Sequence, residues 1–330
     1  MATTDMESRP LAARRFSVPI DQCDVVDKKA LAQYRTNWLK WMSWYEHTPD
    51  EPNSIESQIQ RMIFNDLTYR ASVSVRGSVS NEIAISARSP TLAYLIDQGY
   101  VLTQILAIQR LLDDRADVIS IRRLLKDVEK NHCLITREMY VSGDGTPYDY
   151  SFSAAVPRAS GNAQNCGLEP QGFAQYGRWK HLQETFDLLS GRPADQRTRN
   201  DTISKSIFQS LNNWISGPSA QEIRQIRDKF IAHSADAVTR RSLQFTGVKF
   251  SQIDGLQRAI IRVERALTDY ILSIRVARDV VPLQPLGIFK GLDMPYAPPG
   301  AQDSMHKRWD ELEIERNAWK DGVLEELAKT

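Results

Sequence analysis

IDGLQRAIIRVERALTDYILSI, residues 253–274, decides the fold class. Ile253, Leu256, Ile260, Val263, Leu267, Tyr270 and Ile274 recur at alternating steps of three and four. That spacing lines one face of an α-helix; a strand would need alternation at every second residue. Arg258, Arg262 and Arg265 fall on the opposite face, where solvation is expected.

The stretch before it, SAQEIRQIRDKFIAHSADA at 219–237, carries the same period. Ser216-Gly217-Pro218 breaks the preceding pattern, and Ser219 with Glu222 fits an S-x-x-E capping box that starts a new helix. Ile223, Ile226, Phe230 and Ala237 form its apolar seam. His233 takes the next seam position after Phe230, and Arg227 lies at the seam's edge.

Further outward the signal stays helical. Leu31, Tyr34, Trp38, Trp41 and Tyr45 make an aromatic stripe; at this spacing a core face outweighs a base-stacking platform. Ser89-Pro90 opens a helix whose apolar positions include Leu92, Leu95, Leu102 and Leu106. Another carries Ile121, Leu124, Leu125, Val128, Ile135 and Met139, with His132 on the same stripe and so read as a core histidine. Helical patterning returns at about 172–189 and 201–215. No strand pattern of any length appears, so the expected fold is all-α.

The expected organisation is a loose leader at 1–26 and a helical domain at 27–280, interrupted by a long loop insertion at 141–171. A Pro-rich connector at 281–303 and a C-terminal helix at 304–330 complete it, with Trp309 and Trp319 as docking residues. The insertion is rich in Gly, Ser, Asn and Pro; a substrate lid, a partner-binding arm and a disordered segment are all compatible with it.

Bulk properties narrow the function classes. With 42 Lys and Arg against 41 Asp and Glu, the net charge is +1, so nucleic-acid binding would need a local patch rather than a bulk field. Cys23, Cys133 and Cys166 are far apart and odd in number, which implies no disulfide framework and favours a reducing compartment. The first twenty residues lack the apolar core of a signal peptide, and no apolar run is long enough to cross a membrane. A cytoplasmic protein with no membrane contact is expected. The five histidines (47, 132, 181, 233 and 306) show no HExxH or other ligand spacing, so neither a metal nor another cofactor is expected. A DNA-binding regulator ranks last, for want of a helix-turn-helix signature.

RDKFIAH, residues 227–233, is the one stretch that reads as chemistry. It fits an R-(polar)-x(4–6)-H pattern and resembles the motif of the HEPN superfamily, most closely its bacterial abortive-infection, AbiU-type branch. LLDDRADVISIRRLL at 111–125 is similar to that branch too, in which an acidic turn joins two helices. The resemblance covers about 90–140 and 200–275 and implies a HEPN-like bundle, with extra N- and C-terminal helices here.

Active members of that family are metal-independent endoribonucleases, which implies RNA as substrate and a phage-defence or toxin-like role. By the resemblance, His233 would move the proton as a ribose 2′-hydroxyl attacks the adjacent phosphate, a task suited to a group that titrates near neutrality. Arg227 would hold the phosphate with its planar donor fork. Asp228 is the polar second position, read either as orienting one of these two or as pairing with Arg224 one turn earlier. Lys229, Arg240 and Arg241 are candidate RNA-backbone contacts. The tyrosine that some toxin branches carry just after the histidine is missing, so regulation through it is not expected.

Six residues on a regular helix separate Arg227 and His233 by roughly 9 Å of rise and 120° of rotation. The long arginine side chain can close part of that gap along the helix edge, and a second copy packed across a two-fold axis would also bring both residue types into one cleft. The site is compatible with assembly in one chain or across two, and a homodimer is expected. The competing reading is a non-catalytic HEPN-like module that binds a nucleotide, RNA or a regulatory protein partner.

Overall fold

The computed structural model describes residues 15–48, 51–75, 90–150, 170–228, 248–274, 279–290 and 300–329. Its principal helices are α1 (Lys28–Tyr45), α2 (Ile55–Ser74), α3 (Pro90–Leu111), α4 (Ile121–Lys130), α5 (Arg137–Ser142) and α6 (Pro170–Ser190). They continue as α7 (Lys205–Ser216), α8 (Pro218–Ile226), α9 (Phe250–Arg265), α10 (Ala301–Asn317) and α11 (Val323–Leu327). Among the described residues there is no strand, only the isolated bridges Thr48–Glu51 and Thr136–Thr202. The fold is all-α.

Helix starts follow local chemistry. Asp27, Ser54, Ser120 and Thr136 cap α1, α2, α4 and α5 by accepting from backbone N–H groups inside the first turn. The aromatic stripe of α1 is core throughout: Leu31, Tyr34, Trp38, Trp41 and Tyr45 are all buried.

The 253–274 run forms the central helix, α9, which packs on α3, α4, α7 and α8. Its regular winding ends at Arg265, earlier than the spacing predicts. Ala266–Ile271 is a π-helical turn, with Leu272 N–H donating to Leu267 O at 2.7 Å. The wider turn shifts the face, so Ile271 and Leu272 are buried and Tyr270 is only half-buried. The carbonyls left at this helix end are taken by side chains: Tyr140 Oη donates to Tyr270 O, Trp38 Nε1 to Leu272 O, and Arg15 to the Leu272 and Ser273 carbonyls.

Arg262 is not solvated as expected. Its guanidinium lies 4.2 Å from the Trp214 ring centroid and pairs with Glu326 of α11, while Arg265 pairs with Asp269 and Arg258 remains exposed. A neighbouring tryptophan face and the docked C-terminal segment supply partners that a single helix cannot reveal. His132 is half-buried, its Nδ1 at 2.7 Å from Glu129 O and its ring edge-on to Phe208.

The chain ends join the core. Residues 15–26, within the expected leader, place Phe16 edge-on to Trp38 and bury Cys23 and Val25. Helix α10 begins at Ala301 and packs along α2, with Trp309 fully buried. Within the expected connector, Val281 and Phe289 are buried, and just before it Asn317 Oδ1 accepts from the Val280 N–H. The insertion at 141–171 is described only at its two ends; residues 151–169 lie outside the described residues.

Candidate functional site

Helix α8 starts two residues earlier than the Ser219–Glu222 box predicts. Gly217 is the N-cap and Pro218 fills N1, where its missing N–H costs nothing. Ser219 is therefore inside the helix, and Glu222 instead accepts from Gln252 Nε2 at 2.7 Å, tying α8 to the first turn of α9. Ala220, Ile223 and Ile226 are buried, seating α8 against α3, α7 and α9.

This seat positions the start of the RDKFIAH stretch. At Arg227–Asp228 the chain continues in a π-type turn. Arg227 Nε donates to Asp228 Oδ1 at 2.7 Å, and Nη2 lies 2.5 Å from the same oxygen. The arginine side chain is 25% exposed and the aspartate 41%, so the pair sits at the surface with the guanidinium partly covered. Asp228 thus pairs with Arg227, and its alternative pairing with Arg224 is not the one formed. Lys229, His233, Arg240 and Arg241 lie outside the described residues.

The other four histidines have local roles. His47 meets Ser57, His132 meets Glu129 and Phe208, His181 is 3.5 Å from Thr185, and His306 meets Gln284 and Phe289. Among the described residues no three His, Cys, Asp or Glu side chains gather as a metal site. None of the described helices is long and apolar enough to cross a membrane. The sequence alone gives no hint of a second arginine beside α8: Arg122 at the start of α4 lines a cleft together with Arg224.

Among families of known proteins, the model for HEPN_AbiU2 (AbiU2) matches residues 60–271, well over half of the chain. The chain belongs to the AbiU2 HEPN family. No curated protein and no solved structure matches it. The AbiU2 match begins in α2, earlier than residue 90 where the sequence resemblance starts, and it runs on across the 141–171 insertion. All of α3 to α9, the RDKFIAH stretch and the cleft beside α8 fall within the AbiU2 segment. Helices α1, α10 and α11 lie outside it and brace it, α1 through Trp38 at the end of the π turn and α10 along α2.

Proposed function

We propose that this AbiU2 protein is a metal-independent endoribonuclease of an antiviral, abortive-infection system, acting in the cytoplasm as a homodimer. The observation that carries the reading is Arg227: a surface guanidinium, fixed by Asp228, at the head of an R-x5-H motif inside the family segment. In this mechanism Arg227 holds the scissile phosphate and stabilises the charge that builds on its oxygens. His233 moves the proton of the attacking 2′-hydroxyl. Asp228 orients Arg227, and Lys229, Arg240 and Arg241 hold neighbouring phosphates.

The dimer reading is supported by α3. Leu95, Leu102 and Leu106 are 58%, 40% and 40% exposed and recur on one face of a helix that also packs on α8. A self-complementary apolar stripe next to the motif helix is what a two-fold contact requires.

The test is cleavage of total cellular RNA in EDTA by the full chain, Arg227→Ala and His233→Ala, with circular dichroism to confirm folding. Cleavage by the unaltered protein alone supports the nuclease. Absence of cleavage by the folded protein removes it and favours the non-catalytic module that binds a nucleotide, RNA or a regulatory protein.

A further inference from the structure

An open cleft of about 140 Å³ lies between the end of α3, the start of α4 and the first turns of α8. It has room for several water molecules or one tetrahedral anion. Its polar lining comprises Gln109, Arg122, Ser216, Gln221 and Arg224, with no aspartate or glutamate.

Arg122 is anchored on the wall. Its Nη2 donates to Ile215 O at 2.7 Å and lies 3.3 Å from Ser216 Oγ, which caps the end of α7. Its Nε is buried and has no partner among the described residues. Guanidinium carries five N–H donors in a fixed fork, so with Nη2 anchored and Nε buried it is Nη1 that is left for a ligand. Arg224 lines the same cleft; the carboxylate whose charge reaches it, Asp114, is itself paired with Lys126.

Two guanidiniums share this cleft, Arg122 half-buried and Arg224 exposed, and their like charges favour an anion between them. Burial, joined by the like charge of Arg224 and opposed by Asp114, holds the Arg122 guanidinium below its ordinary value. The nearby Asp114 is already engaged, 3.0 Å from Lys126 Nζ. Arg224 precedes Arg227 by three residues, about 4.5 Å of helix rise, so the two project from neighbouring turns of the same helix side.

We propose that this cleft is a phosphate subsite that holds the backbone of the RNA strand next to the phosphate at Arg227, with Arg122 as its fixed donor and Arg224 as its mobile one. The assignment of RNA rests on the proposed function; the anion chemistry rests on the cleft itself. The subsite sets how the strand is gripped and not the bond-breaking step.

The test uses the full chain carrying His233→Ala, so that bound RNA is not cut. Its affinity for a fluorescein-labelled RNA 12-mer is measured by anisotropy in EDTA over a range of salt. Adding Arg224→Gln is expected to weaken binding several-fold and to reduce the slope of log affinity against log salt by about 0.7, the signature of one lost contact to a single strand. Arg122→Gln should act in the same direction. Because Arg122 also caps α7, the exposed Arg224 variant is the deciding one.

An unchanged slope with Arg224→Gln overturns the subsite, as does a parent protein that does not bind the 12-mer. A mononucleotide that competes as well as the 12-mer overturns its assignment to a strand. The nuclease reading is scored separately. RNA bound with an Arg224-dependent slope but never cut by the unaltered protein supports the subsite and ends the nuclease, whereas cut RNA with an unmoved slope does the reverse.

Discussion

Arg227 and Asp228, neighbours in the chain, are joined side chain to side chain, with Nε to Oδ1 at 2.7 Å. Adjacent side chains on a regular helix diverge and do not face each other. Here the chain leaves α-geometry at these two residues, and the long guanidinium folds back onto its neighbour. The carboxylate therefore fixes where the proposed phosphate-holding group points. Arg227→Ala is expected to lower the cleavage rate in EDTA by on the order of 10²-fold or more. Asp228→Asn, which keeps the shape but weakens the hold, should give a smaller loss. Neither should move the melting temperature much, since a half-exposed pair contributes only about 0–1 kcal/mol. Cleavage by Arg227→Ala at the unaltered rate would overturn the assignment.

A second prediction concerns the clamp between the family segment and the C-terminal helix. Arg316 of α10 and Asp66 of α2 are both sealed from solvent and meet at 3.2 Å. Asp66 also accepts from Arg70 Nε at 2.9 Å and from Tyr100 Oη at 2.5 Å, while Asp254 of α9 accepts from both arginines. Four helices thus share one buried charge network. Arg316→Ala leaves Asp66 short of a partner in a dry site and is expected to cost about 3–5 kcal/mol. Urea denaturation measures it; a midpoint shift worth less than ~1 kcal/mol would mean that the network is not the clamp.

The same network marks the limit of what the sequence reveals. Periodicity gives away every helix whose apolar face is regular, as at Leu31–Tyr45 and Ile121–Val128, because burial of a face leaves its period in the chain. It says nothing about which charged residues turn inward. No period sets Asp66, Arg137 and Arg316 apart from other charged residues, yet all three are buried, Arg137 and Arg316 against partners far away in the chain. The π turn at Ala266–Ile271 is hidden for a related reason: the side chains that take the carbonyls at its end, Tyr140, Trp38 and Arg15, come from other parts of the chain. Arg227 and Asp228 stand out because a motif names them. Arg122 does not, because only the meeting of α4 with α8 gives it a role.

The exposed stripe on α3 gives a third prediction. The helix buries Tyr100, Ile105, Ile108 and Leu111 and leaves Leu95, Leu102 and Leu106 outward. If this face is the two-fold contact, Leu102→Glu combined with Leu106→Glu places like charges across the axis. Analytical ultracentrifugation should then show the unaltered chain as a dimer and the double variant as a folded monomer with lost cleavage. A double variant that remains dimeric would move the contact to another face.

The last prediction is a pH dependence that tests how α1 is held to α4. Asp127 accepts from the Trp41 indole at 2.6 Å and lies 2.5 Å from Lys40 Nζ. Burial pushes its carboxyl up, but Lys40 and Trp41 outweigh burial and hold it below its ordinary value of 3.8. A carboxyl depressed in the folded state binds fewer protons there than in the unfolded chain, so stability rises with pH through this window. The contribution is present in full above about pH 5, declines as pH falls through the unfolded value of 3.8 and is lost below the depressed folded value. Asp127→Asn should therefore be less stable than the unaltered chain at neutral pH, by about 1–3 kcal/mol for hydrogen bonds to a charged group. The gap should close below pH 3.8, measured as the difference in urea midpoints along a pH series. A gap that is constant across that series would show that the ionised carboxylate contributes nothing to the contact.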